Sequence, residues 1–285
     1  MGVFFVILGG IFWAISGVLA EYLFEKDFAV EWVSFYRLFF TGLILLLINL
    51  KNIKFKLFID KKEFSSLLIF AFFGLIITQY GYFKAIFYTD AGTATMIQYS
   101  APLIIMLYVC FLEKRRAKAI EFLALFFIIF ALFLLLSGGD ITQLNFNIIG
   151  ILWAIASAFG VVFYSLSARA IILKYGLFLI MGLASLIASF LLFVLLQGDI
   201  PKYDFSLNSF LAMGGIIFIG TIGAFGLYLK GVELIGPLRA SMIACIEPVA
   251  AAFMSFLFLG TFYSLVDLLA FALIILSVFL NARKY

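Results

Sequence analysis

Long apolar segments alternate with short polar connections over the whole chain. Each apolar run is continuous and lacks the two-residue alternation of a transmembrane barrel strand. A helix that crosses a bilayer needs about 20 predominantly apolar residues. The pattern therefore predicts an all-α integral membrane protein with ten transmembrane helices. The predicted helices cover residues 3–23, 31–50, 63–88, 91–112, 119–137, 148–168, 176–197, 207–231, 236–259 and 263–281.

The composition excludes several classes of protein. Hydrophobic residues make up 66% and charged residues 12% of the 285 residues, against roughly 45–50% and about 25% in soluble domains. A soluble fold of this size cannot cover so much apolar surface. We therefore exclude a soluble enzyme, a nucleic-acid binder and a disordered chain. The chain has no His, the commonest metal ligand, and we expect neither a metal nor a cofactor.

The positions of Lys and Arg predict the orientation in the membrane. Cytoplasmic connections carry an excess of both residues. If the N-terminus is cytoplasmic, the clusters at residues 51–62 and 114–118 also lie in the cytoplasm, as do most of the other cations. We therefore expect a multi-pass protein of a bacterial-type inner membrane, with both termini in the cytoplasm.

The two halves of the chain resemble each other at a shift of 146 residues. Besides apolar matches, the shift aligns polar, acidic and proline positions: Tyr82 with Tyr228, Lys84 with Lys230, Pro102 with Pro248, and Glu121 with Asp267. Each half holds five predicted helices, and five is odd, so the second half enters the bilayer upside down. We expect a 5+5 inverted-topology repeat with units at residues 1–142 and 143–285. Inverted repeats are typical of secondary transporters.

Glu247 lies near the middle of the ninth predicted helix. A charged side chain at this depth costs about 2.5–3.5 kcal/mol even on the lenient insertion scale, and protonation removes most of that cost. The carboxyl can bind and release a proton as water access alternates. It can also contact a cationic amine, or stay neutral and hydrogen-bond a neighbouring helix.

Pro102 and Pro248 lie at mid-span in the fourth and ninth predicted helices. Proline has no N–H to bond the carbonyl four residues earlier, so the carbonyls of Gln98 and Ala244 should be freed. Freed carbonyls at the midplane suit a polar ligand, and a local kink suits a moving gate. The alternative is a kink with only a structural role.

Six polar or aromatic side chains complete the predicted substrate site. A lipid-facing Gln is costly, so both Gln side chains should point inward. The aromatic rings can form walls for an apolar or cationic ligand, or they can simply pack. The six residues are Trp13, Gln79, Tyr80, Gln98, Tyr99 and Tyr164.

Arg37 lies about two turns inside the outer end of the second predicted helix. Its guanidinium cannot lose its charge in a protein. We expect either a structural pair with Glu21 or attraction of a substrate carboxylate.

Several short motifs together resemble a known family. They are the Gly-x-x-Trp-Ala openings at Gly10 and Gly150, Arg37, Ala91-Gly92-Thr93-Ala94, Ala101-Pro102-Leu103 and Glu247-Pro248-Val249. The chain is similar to EamA-type members of the drug/metabolite transporter superfamily. The resemblance spans essentially the whole chain. It implies the ten-helix fold and transport of amino acids, amines, nucleosides or drugs.

We therefore predict a secondary transporter of a small organic metabolite, an amino acid, an amine or a related compound, that works by alternating access. Protons are a candidate coupling ion, and the resemblance favours export. An uptake carrier for a cationic or aromatic molecule is the alternative. A membrane-embedded enzyme would need reactive groups clustered at one depth, and the sequence shows no such cluster.

Overall fold

The computed structural model describes residues 1–24, 26–52, 56–89, 91–138, 147–196, 206–259 and 262–282. No β-strand occurs in these ranges, which confirms the predicted all-α class for this part of the chain. Two short helical turns, Leu50–Asn52 and Lys56–Ile59, connect the second and third long helices. The long helices are α1 (Gly2–Phe24), α2 (Val30–Asn49), α3 (Lys61–Tyr88), α4a (Ala91–Gln98), α4b (Ala101–Leu112), α5 (Ala119–Ser137), α6 (Ile148–Tyr175), α7 (Leu177–Leu195), α8 (Leu207–Ile235), α9a (Pro237–Ala244), α9b (Glu247–Leu259) and α10 (Leu265–Ala282).

Seven helical segments in the described ranges are long and apolar enough to cross a membrane. They lie in α1, α2, α3, α6, α7, α8 and the α9a–α9b pair. Three shorter apolar helices, Ala101–Leu112, Ala119–Leu135 and Leu265–Leu280, lie where the fourth, fifth and tenth spans are predicted.

Polar caps and glycines define several helix ends. The side chains of Asp60, Asn147 and Ser206 accept hydrogen bonds from backbone N–H groups in the first turns of α3, α6 and α8, which satisfies donors that have no partner within the helix. Gly176 and Gly236 have φ of 93° and 83° and separate α6 from α7 and α8 from α9a. This left-handed backbone allows a sharp turn without a cost from a Cβ atom.

The helix boundaries repeat along the chain with the shift seen in the sequence. The first residues of α1, α3, α4a, α4b and α5 each have a counterpart 146 residues later, at the first residues of α6, α8, α9a, α9b and α10. The interruptions of the two broken helices also correspond, at residues 99–100 and 245–246. The predicted unit boundary at residues 142 and 143 lies outside the described residues.

The principal packing partners come from opposite halves of the chain. α1 packs on α8 and α3 on α6, while α2 packs on α7 and α5 on α10. α2 and α7 run antiparallel, because the backbone at Gly42 approaches Leu186 while Gly182 approaches Leu45. Because glycine has no side chain, the two helices can approach closely and gain van der Waals contacts, as membrane helices do at small residues.

Two π-helical segments widen the helices at the centre of the fold. They are Phe70–Tyr80 in α3 and Ile216–Gly223 in α8, and they also begin 146 residues apart. π-helical turns are frequent at functional sites. Both segments lie beside the central cavity described next.

Candidate functional site

A central cavity of about 110 Å³ lies between α1, α2, α3, α4, α6, α8 and α9, where α4 and α9 denote the two broken helices. Eight of the residues that the sequence suggests as site residues line it. They are Trp13, Arg37, Gln79, Gln98, Tyr99, Pro102, Tyr164 and Glu247. The fold therefore brings together residues that are up to 234 positions apart in the chain.

Glu247 is the first residue of α9b, at the interruption of the broken helix. The Tyr99 hydroxyl, from the matching interruption between α4a and α4b, donates to Glu247 Oε2 at 2.6 Å. The same hydroxyl lies 3.4 Å from the carbonyl oxygen of Ala244, one of the carbonyls that Pro248 should free. Tyr99 thus joins the two broken helices across the cavity through the acid.

Arg37 is buried, with 6% of its surface exposed. Its Nε donates to Thr221 Oγ1 at 2.7 Å and its Nη2 to the Gly220 carbonyl at 3.3 Å, so the π-helical segment of α8 holds it. The side chain of Glu21, its predicted partner, lies outside the described residues.

The charge of Arg37 has no carboxylate within 4 Å in the described part of the chain. The guanidinium carbon lies 5.8 Å and 5.9 Å from the ring centres of Phe83 and Phe225, within cation–π range. Arg37 and Glu247 attract each other electrostatically across the site without forming an ion pair. The cavity therefore holds a positive and a negative group that are separated in space.

Four aromatic rings form one wall of the cavity. Trp13 meets Phe225 with ring centres 5.1 Å apart and Tyr228 at 5.2 Å. Tyr164 meets the same two rings at 5.6 Å and 5.4 Å. The Tyr228 hydroxyl shares a hydrogen bond of 3.0 Å with Ser165. Such a wall suits an apolar or cationic group of a ligand.

Gln79 presents an amide with no protein partner among the described residues. Its side chain is 4% exposed and lines the cavity, and neither its nitrogen nor its oxygen is hydrogen-bonded there. The hydroxyl of the adjacent Thr78 also lacks a partner. Buried polar atoms normally have partners, so these groups are available to a ligand or to water.

Gln98, in contrast, is held by a chain of hydrogen bonds. Its Nε2 donates to the Ser157 hydroxyl at 2.5 Å, and that hydroxyl donates to the Thr78 carbonyl at 2.8 Å. The chain links α4a and α6 to the π-helical segment of α3. Gln98 therefore positions the cavity wall.

Two predicted site residues, Tyr80 and Pro248, are not among the residues that line the cavity. Tyr80 follows Gln79, and successive residues of a helix point in different directions; here the Tyr80 side chain contacts other partners. The Tyr80 ring packs on Trp153, and its hydroxyl lies 3.5 Å from Glu31, which pairs with Lys84. Pro248 is the second residue of α9b, beside Glu247.

Sequence reasoning did not single out Phe225 and Tyr228 for the site. Both are common residue types in this chain, which has 38 Phe and 13 Tyr, so composition gives no signal. The internal repeat does, because a shift of 146 residues places Phe225 on Gln79 and Tyr228 on Tyr82. Tyr82 also lines the cavity and shares a hydrogen bond of 2.6 Å with Thr95.

Comparison with known proteins identifies the family. The EamA-like transporter family matches residues 1–137 and again residues 148–283. The chain belongs to the EamA-like transporter family. The predicted resemblance is thereby confirmed. An uncharacterized inner membrane transporter of Salmonella typhimurium, YicL, is 31% identical over 282 residues, which cover 98% of this chain and 94% of YicL.

A solved crystal structure has the same fold as this EamA-family chain. It superposes with a TM-score of 0.81 over 99% of this chain and 96% of its own length, at 16% sequence identity. Together with the apolar helices, the family and the relative support a multi-pass inner membrane transporter of a small molecule. They point to transport and not to an enzyme.

Proposed function

We propose that this EamA-family chain is a proton-coupled secondary transporter of small zwitterions such as amino acids, and that it works by alternating access. The observation that carries the proposal is the presence of Arg37 and Glu247 in one cavity, where they bind Thr221 and Tyr99 and form no ion pair with each other. A ligand with one carboxylate and one ammonium group complements both charges. Such a ligand replaces the hydration that both charges lose by burial.

The ten predicted helices form two inverted units in this proposal. Support comes from the two separate family matches, one for each half of the chain. Further support comes from the antiparallel packing of α2 on α7, because the two are counterparts at the shift of 146 residues. Two units of opposite topology can exchange shapes and open first one side and then the other.

Glu247 is the proton site in this mechanism. It begins the second part of a broken helix, contacts Tyr99 and is the one carboxyl among the described residues that line the cavity. A protonated Glu247 lowers the electrostatic cost of an empty cavity, and a deprotonated Glu247 pairs with the ammonium group. Proton and substrate thus compete for one group, which couples their movements in opposite directions.

Export is the proposed direction of transport, because the family resemblance favours it. Export of the substrate in exchange for an entering proton is compatible with competition of the two for a single acid. Cytoplasmic termini are supported by the Lys- and Arg-rich connections at residues 51–62 and 114–118.

A second candidate is a carrier for aromatic or organic cations. The wall of Trp13, Tyr164, Phe225 and Tyr228 favours it, because aromatic faces attract cations. Under this candidate Glu247 neutralises the cation and Arg37 has only a structural role.

Counterflow in liposomes tests the proposal and separates the two candidates. Purified protein is reconstituted into vesicles loaded with unlabelled alanine, phenylalanine or putrescine, and entry of the same labelled compound is followed. We expect exchange of at least one amino acid and its loss in Arg37→Met. Lys230→Met, which removes a cation outside the cavity, should exchange like the wild type.

Exchange of the diamine alone, unchanged in Arg37→Met, would favour the cation carrier. No exchange of any compound by a folded protein would contradict both candidates.

A further inference from the structure

A second, larger cavity of about 870 Å³ opens between α4b, α6 and the start of α9a. It is distinct from the central cavity and amphipathic along its length. Its ionic end is formed by the connection between α4b and α5 together with the first turn of α9a. The ionic residues there are Glu113, Arg115, Lys118, Glu121 and Arg239.

The ionic end has a surplus of positive charge. Arg115 binds both carboxylates, with Nε at 2.6 Å from Glu113 and Nη1 and Nη2 each at 2.9 Å from Glu121. Arg115 engages the two acids, and with Lys118 and Arg239 the lining holds three cations against two acids, a formal charge of +1. This end is complementary to an anion.

The N-terminus of α9a strengthens the positive field at this end. Gly236 and Pro237 line the cavity and begin the eight-residue helix. The helix dipole gives a partial positive charge at its N-terminus, which favours an anionic group there.

The remaining walls are apolar and open to the side. Phe159 and Phe163 on α6 are 49% and 39% exposed, and Tyr108 and Leu112 on α4b are 45% and 59% exposed. From Phe159 to Leu166, α6 advances about 10 Å at 1.5 Å per residue. Water against these side chains is unfavourable, whereas a hydrocarbon chain removes their apolar surface from water.

We propose that this cavity binds one anionic phospholipid, with its phosphate beside Lys118 and Arg239 and an acyl chain along Phe159 and Phe163. The occupant follows from the two kinds of lining: cations on the connection after α4b and in the first turn of α9a, and exposed aromatic rings on α6. A basic pocket between membrane helices is a known type of site for lipid head groups. The inference does not depend on which substrate crosses the central cavity.

Thermal unfolding of the purified, detergent-solubilised full-length protein tests the site. Four probes are titrated over one concentration range: dihexanoyl phosphatidylglycerol, dihexanoyl phosphatidylcholine, glycerol phosphate and dihexanoylglycerol. The range stays below the concentrations at which the three acylated probes aggregate. A ligand that binds the folded state raises the midpoint according to its concentration over its Kd. We expect at least tenfold tighter binding of the phosphatidylglycerol than of each of the other three probes.

Variants then locate the binding. Arg239→Gln and, separately, the exposed Lys118→Gln should each reduce the tenfold preference to less than threefold. Lys114→Gln, on the same connection but outside this cavity, should keep it. The proposal would be overturned if the two phospholipids shifted the midpoint equally, or if glycerol phosphate shifted it as much as phosphatidylglycerol does. It would also be overturned if Lys118→Gln kept the full preference for phosphatidylglycerol.

Discussion

Under the proposed mechanism, replacing Glu247 by Gln should separate proton coupling from substrate movement. The Gln side chain has nearly the same shape, and its amide oxygen can accept the hydrogen bond that Tyr99 donates at 2.6 Å. The cavity should therefore keep its geometry but lose the titrating group and the negative charge that pairs with the ammonium group. We expect Glu247→Gln to exchange labelled for unlabelled substrate only at a higher substrate concentration and to fail in proton-driven accumulation.

The structure sets the size of the expected effect. Glu247 is the one carboxyl on the described lining of the cavity, so one proton should move per substrate. A gradient of one pH unit corresponds to about 1.4 kcal/mol, and this energy supports about tenfold accumulation at one-to-one coupling. With two protons the ratio would approach about a hundredfold.

The assay uses vesicles whose lumen is one pH unit more acidic than the bath, with the membrane potential clamped to zero. The wild type should accumulate labelled substrate about tenfold, and Glu247→Gln should equilibrate it near onefold. Glu233→Gln, which removes a carboxyl that pairs with Lys230 outside the cavity, serves as the matched control. Accumulation by Glu247→Gln at the wild-type ratio would refute the assignment of the proton site.

Three further substitutions test the cavity and the packing. Gln79→Leu should raise the free energy of unfolding by about 1 kcal/mol, because it removes an unpartnered buried amide, and weaken substrate binding in counterflow; a lowered melting temperature would contradict this. Ser157→Ala should lower the free energy of unfolding, measured by denaturant titration, by about 1–3 kcal/mol, since it leaves Gln98 without its acceptor. An unchanged denaturation midpoint would argue against the hydrogen-bond chain from Gln98 through Ser157 to Thr78. Gly42→Ala should cost about 1–3 kcal/mol, because its Cβ would lie 2.7 Å from a backbone nitrogen of the facing helix. Gly226→Ala, whose nearest neighbouring atom is at 3.7 Å, is its control in thermal unfolding and should keep or gain stability, because Ala has the higher helix propensity. Equal losses in both variants would contradict the steric explanation.

The positions of the helices could be predicted from the sequence because hydropathy follows the chain directly. The starts of α5, α6 and α8 lie at the predicted residues 119, 148 and 207. α6 is longer than predicted and ends at Tyr175, since the helix continues past Arg169 and buries Ile171 and Ile172 in the core. The interruptions in the fourth and ninth helices begin just before the prolines that the sequence pointed to.

The face that each helix turns to the cavity was harder to predict. Lipid and protein core are both apolar in this chain, so hydrophobic periodicity does not distinguish them. The rare polar residues did identify the cavity-facing side of their helices, since Gln79 and Gln98 both line the cavity. Phe225 could not be distinguished from the many lipid-facing Phe residues, and the contact of Arg37 with Thr221 joins residues 184 positions apart, beyond any local pattern.

The first residues of α4b and α9b are counterparts, yet one is Ala101 and the other Glu247, and both line the central cavity. Two equal halves would give the inward-open and outward-open states equal energies and no preferred resting state. In the proposed inverted repeat, a single acid in one of the two units removes that degeneracy. The resting population of the carrier should therefore depend on the protonation of one side chain, even before any substrate arrives.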